Sequence, residues 1–149
     1  NQYAQVVRFM KWWANQRKAA DTSFKCKSFM IEPIVAYLAD KDLITLTDYP
    51  TALEKIFSYI VRTGLEERIA FSDYYQLSKL PTGKSGVIEI FDPVNPSNNI
   101  ANKYSASDKD RLVTAAEEAA DSISEALTAT TQSRASEAWQ RVFGPAFRI

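Results

Sequence analysis

The chain has 149 residues, 18 basic against 18 acidic side chains, no His and one Cys. That length suits one domain burying roughly two-thirds of its extended surface without cross-links. A lone Cys26 excludes an internal disulfide, and the lack of His excludes His-based zinc sites, triads and acid–base pairs.

Balanced charge provides no global basic field, so no long nucleic-acid partner is expected, and no apolar run approaches the roughly 18 residues of a membrane span. A reducing, cytoplasmic setting away from membranes follows as the expectation. The sequence opens Asn1-Gln2-Tyr3 without Met, and a piece of a longer chain is expected.

Residues 2 to 19 place Tyr3, Val6, Val7, Met10, Trp13 and Ala14 on one helical stripe. Lys11 and Lys18 lie at its edge, where their stems pack while their ammonium groups project. Asp21-Thr22-Ser23 offers an N-cap for a second helix carrying Phe24, Ile31, Ile34, Val35 and Leu38. Pro33 interrupts it by removing one amide, so the spacing predicts either a kink or a helix that begins only near Phe29. In the latter case Ser28 and Phe29 occupy a first turn whose free amides attract an anion, and Phe29 lies off the core stripe.

Asp48-Tyr49-Pro50 opens a third helix, closed by Gly64, with Leu53, Ile56, Phe57, Ile60 and Val61 facing inward. Periodicity is then poor, although residues 68–71 form a candidate strand pairing with 86–91. That second apolar run is cut off by Asp92-Pro93, Asn95-Pro96 and Ser97-Asn98-Asn99, so a short strand should end in a rigid polar loop. Ser107 is the expected cap of a long helix to Leu127, with Asp108 and Asp110 in its first turn. Its inward face is Leu112, Ala116, Ala119, Ala120, Ile123 and Leu127. A last helix near 134–143 buries Ala135, Ala138, Trp139 and Val142 and stops at Gly144-Pro145. The fold class expected is mainly α (α+β), a single five-helix domain over 1–149 with a short strand or small hairpin.

Two motifs mislead. Pro81-Thr82-Gly83-Lys84-Ser85 resembles the end of a phosphate-binding P-loop, but Ser78 stands where the motif needs Gly, and a strand follows where a helix should. Asp40-Lys41-Asp42 and Asp108-Lys109-Asp110 imitate metal-binding pairs without the convergence from rigid strands that two-metal chemistry requires.

Three segments in order, 8–13 (RFMKWW), 24–32 (FKCKSFMIE) and 90–100 (IFDPVNPSNNI), with the closing WQRVFGPAF of 139–147, resemble the C-terminal helical half of oligoadenylate-synthetase and cyclic-oligonucleotide-synthase nucleotidyltransferases, the bacterial antiphage second-messenger enzymes in particular. The resemblance implies a helical, nucleotide-binding half that faces a polymerase-β-like N-terminal half. That other half would carry a Gly-Ser loop and the carboxylates for Mg²⁺, neither of which occurs here, so no catalytic or metal residue is expected in this chain and it should be inactive alone. Resemblance also assigns nucleotide contacts: Lys11 to the β- and γ-phosphates of an ATP- or GTP-class donor, Ser28 with neighbouring Lys27 to the triphosphate, Phe29 to the base by stacking, and Asn98 and Asn99 to the rim of the cleft, touching nucleotide or bracing the loop. A polyadenylate or tRNA-end-adding polymerase, or a non-catalytic interaction or nucleotide-sensing module, is the alternative.

Overall fold

The computed structural model describes residues 1–148. Five α-helices carry the described fold: α1 (Gln2–Ala20), α2 (Ser28–Asp40), α3 (Tyr49–Thr63), α4 (Ala106–Thr128) and α5 (Gln132–Phe143). α4 packs between α3 and α5, while α1 lies against α2 and also touches α3 and α5. No helix among the described residues is long and apolar enough to cross a membrane.

The α1 stripe is buried as its spacing predicts, with Trp13 at its centre. The Trp13 indole meets Phe24 edge-on at 5.6 Å and Phe57 at 4.7 Å, which joins α1, the turn after it and α3 in one aromatic contact. α3 follows its sequence signals closely: Asp48 accepts the Thr51 amide, Pro50 stands in the first turn, and Gly64 ends the helix at φ 61°, a left-handed conformation that suits glycine.

Four expectations need correction. Asp21 is the C-cap of α1 and forms an Asx-turn with the Ser23 amide, so residues 21–23 do not cap α2. α2 starts at Ser28 with Lys27 in the cap position, and Pro33 lies buried within the helix, where it withholds the amide that the Phe29 carbonyl would otherwise accept.

The second correction concerns α4, which is capped by Ser105 and not Ser107. The Ser105 hydroxyl accepts the Asp108 amide at 3.1 Å and the Asp108 carboxylate accepts the Ser105 amide at 2.9 Å, a reciprocal capping box. This box, led by the Ser105 amide and helped by Arg111 and Lys25, holds the Asp108 carboxyl below its ordinary value. Third, Leu127 is 42% exposed and Ala126 takes the buried position, since α4's inward line runs through Ala115, Ala119, Ile123 and Ala126.

Fourth, no hairpin forms between residues 68–71 and 86–91. Ile69 bridges Ile90 in parallel, and Phe91 bridges Asn99 in antiparallel fashion. Three segments therefore run side by side for about a residue each, and Pro93 and Pro96 prevent the ladder from lengthening.

A buried carboxylate fixes this irregular region. Glu89, 5% exposed, accepts two hydrogen bonds at 3.1 Å from the Arg68 guanidinium and two more at 3.0 Å from the Ser85 amide and hydroxyl. Arg68 also donates to the carbonyls of Pro81 and Gly83 and lies over the Phe91 ring. The false P-loop thus wraps an internal carboxylate. Burial by itself would raise the Glu89 carboxyl, but Arg68 and the two Ser85 donors outweigh it and hold the carboxyl below its ordinary value.

Asn99 completes the bracket. Its Oδ1 accepts the amides of Ile90 and Ala101, and its Nδ2 donates to the Ile88 carbonyl at 2.8 Å and to Ser85. Gly86 permits this approach, since a Cβ there would stand 3.0 Å from Asn99 Nδ2.

Two outcomes are expected. Ser105→Ala should lower stability in urea unfolding by about 1 kcal/mol, whereas Ser107→Ala should change it by less than about 0.5 kcal/mol; the reverse order would return the cap to Ser107. Glu89→Gln should cost roughly 1.5 to 3 kcal/mol at neutral pH, the range for hydrogen bonds to a charged group. Because the folded carboxyl titrates lower than the unfolded one, this stabilisation is complete above about pH 4.3 and disappears as pH falls through the folded value. Urea midpoints of the two proteins should therefore converge on acidification, and a gap that stayed constant down the acid limb would contradict the ionised bracket.

Candidate functional site

Two elements present the residues singled out in the sequence. Lys11 stands on α1, and Lys27, Ser28 and Phe29 form the entry of α2. The α2 N-terminus has no side-chain cap, and the first amides that bond back are those of Met30 and Ile31, both to the Lys27 carbonyl. The amides of Ser28 and Phe29 therefore point out of the first turn with the positive end of the helix dipole behind them, a combination that suits an anion. Phe29 is 50% exposed, off the core as its position predicts, and its ring is free to receive a planar group.

The Lys11 Nζ lies 3.2 Å from the carboxylate of Glu32, one turn further along α2. Glu32 also accepts the Tyr3 hydroxyl on its main-chain carbonyl at 2.9 Å, so α1 is tied to the first turns of α2 at two points.

Tyr104 sets the entry of α2. Its hydroxyl accepts the Lys27 amide at 2.9 Å, and burial pushes the phenol up to about 12, so it stays neutral. Lys25 covers the Tyr104 ring at 4.4 Å and donates to the Lys103 carbonyl. Cys26, also in this segment, has its thiol pushed up to about 12 by burial, which makes it a poor nucleophile.

Asn98 and Asn99 belong to the loop that runs into Tyr104. Asx-turns at Asp92 and Asn95, each accepting the amide two residues on, give this loop its shape. Asn98 is exposed, with its amide 3.5 Å from the Asp92 carboxylate, whereas Asn99 is buried and all its side-chain bonds brace the loop. Among the described residues no hydrogen bond joins either Asn to Lys11, Lys27, Ser28 or Phe29; the link between loop and helix is Tyr104.

The site is an open wall. A cleft of about 480 Å³ lies elsewhere, between α1, α4 and α5, lined by residues such as Trp13, Arg17, Glu118 and Arg141. It contains none of the six candidates. Among the described residues no three His, Asp, Glu or Cys side chains gather as a metal site. Lys11, the α2 amides and Phe29 supply charge, hydrogen-bond donors and a stacking surface. They can hold and orient an anionic, ring-bearing ligand.

The sequence reading missed three of the residues that shape this wall. Glu32 follows Ser28 by four positions and so shares its helix face, a spacing visible in the sequence. Glu89 interrupts an apolar run, which signals a carboxylate in need of a buried partner. Tyr104 carries no such signal.

No protein-family profile matches the chain. The cyclic AMP-AMP-AMP synthase of Escherichia coli (strain MS 115-1) is 45% identical over 146 residues, 98% of this chain and 45% of that protein. Two solved structures of E. coli MS115-1 CdnC superpose on all of this chain at 44% identity with a TM-score of 0.94. One is a complex with HORMA-deltaN and the other contains ATP, and the chain covers 47% and 46% of them. The chain thus spans less than half the length of the proteins it matches. Over its whole length it is homologous to, and shares the fold of, the helical C-terminal half of a cyclic-oligonucleotide-synthase nucleotidyltransferase.

Proposed function

We propose that this chain is the nucleotide-binding C-terminal half of a nucleotidyltransferase that joins nucleoside triphosphates, ATP foremost, into a cyclic or linear oligonucleotide second messenger. The observation that supports it is the full-length superposition, at 44% identity, on CdnC in a structure with ATP. A HORMA-domain partner, a part in antiviral defence and a cytoplasmic setting belong to the same proposal.

On this reading Mg²⁺ is held by carboxylates of the N-terminal half. The residues of this chain bind and orient. The α2 amides at Ser28 and Phe29, with Lys27 beside them, receive phosphate oxygens, and Lys11 brings a compact positive charge to the β- and γ-phosphates. Phe29 stacks on the donor base, for which a ring face suffices. Asn99 braces the loop that presents Asn98 at the rim of the cleft. An anion site built from backbone amides is already oriented before the ligand arrives, so little reorganisation of the main chain is needed at the moment of reaction.

The full-length protein, incubated with Mg²⁺ and the four nucleoside triphosphates, is expected to release an oligonucleotide separable by chromatography. The 149-residue chain alone should yield none; reproducible product from it would overturn the division of labour between halves. In the full-length protein Phe29→Ala should weaken ATP binding by roughly 1 to 3 kcal/mol while Phe29→Tyr is tolerated. If Phe29 acted instead as core, its loss would appear as about 3 to 5 kcal/mol of folding stability. Lys11→Ala should reduce affinity for ATP and hardly alter that for AMP, and equal effects on both would move the triphosphate contact to another residue.

A further inference from the structure

The Lys11 ammonium is engaged by a carboxylate of α2. Its Nζ lies 3.2 Å from Glu32 Oε1, and both side chains stay open to solvent, 36% exposed for Lys11 and 50% for Glu32. Glu32 and Ser28, four residues apart on α2, share one face at a separation of about one 5.4 Å turn. The Tyr3 hydroxyl on the Glu32 carbonyl keeps this turn of α2 in register with the start of α1. Lys11 therefore rests one turn from the uncapped α2 terminus, within the swing of its flexible four-carbon stem.

We propose that Glu32 sets the affinity of the triphosphate site, as a carboxylate that occupies Lys11 until phosphate displaces it; this rests on the assignment of Lys11 to the triphosphate above. A solvent-exposed ion pair is weak enough to be exchanged, because water screens it and two long side chains must be held still to keep it. A polyphosphate carries more negative charge than one carboxylate and takes the ammonium. The free energy of the lost Lys11–Glu32 pair is then subtracted from binding. The pair also keeps the ammonium close to α2 between ligands. A monophosphate lacks the β- and γ-groups and leaves the pair intact.

The test is equilibrium binding of a non-hydrolysable ATP analogue and of AMP to the full-length protein. Glu32→Gln should tighten the analogue about two- to five-fold, the scale of an exposed pair, and leave AMP unchanged. In a Lys11→Ala background the same substitution should have no further effect on the analogue. If Lys11→Ala weakens the analogue but Glu32→Gln alone does not tighten it, the Glu32 proposal is overturned and the lysine assignment survives. A gain that persists without Lys11 would show direct repulsion between carboxylate and phosphate, which also overturns the proposal. No loss of analogue affinity in Lys11→Ala removes the lysine assignment and, with it, the role of Glu32. Unchanged thermal unfolding of Glu32→Gln, expected for a half-exposed side chain, shows that the variants compare folded proteins.

Discussion

The contact of the Trp13 indole with Phe24 and Phe57 fixes the geometry on which the candidate site depends. The three rings come from α1, the turn that follows it and α3, and Trp13 is 1% exposed, so the helix phase of α1 cannot change without breaking the centre of the core. Lys11 lies two residues earlier on the same helix and inherits its direction from that packing. Phe24, held against Trp13, likewise determines where the chain re-enters helix, and the entry of α2 follows four residues later.

The 81–85 segment and the start of α2 both offer main-chain donors to a negative charge, and they differ in what the protein does with them. Around residues 81–85 the donors are consumed internally by Glu89, whose carboxylate lies between Arg68 and Ser85 where a phosphate-binding loop would hold its ligand. At the start of α2 the protein supplies no side-chain cap, and Lys11, which faces the first turns of the helix, is paired with a half-exposed carboxylate. The first arrangement makes a rigid scaffold for the 85–101 loop. The second leaves binding capacity on the surface, at a cost in local helix stability that a cap such as Ser105 recovers in α4.

The placement of the site on an open face fits a chain that spans less than half of the proteins it matches. Ligand pockets are ordinarily concave, often where two domains meet, and here a cleft of about 480 Å³ lies between α1, α4 and α5, apart from the candidate residues. A wall that offers charge, amides and an aromatic ring gains enclosure only from an opposing surface.

The sequence by itself determined the helices, their number and most of their inward faces, because apolar spacing, Asp48, Pro50 and Gly64 act over a few residues and need no distant partner. It also indicated the exposure of Phe29 and the start of α2 near it, since Pro33 and the core stripe constrain both locally. The cap at Ser105 was also written locally, in the capping box that Ser105 forms with Asp108 three residues on, although Ser107 is a competing candidate in the sequence; tertiary structure settled the rest. It alone decided that residues 68–71 meet 86–91 in parallel, that Asn99 turns inward while Asn98 stays out, and that Glu32 meets Lys11 across 21 residues. Bonds of that kind join segments distant along the chain, and no local propensity encodes them: they exist only once the core around Trp13 has brought the segments together.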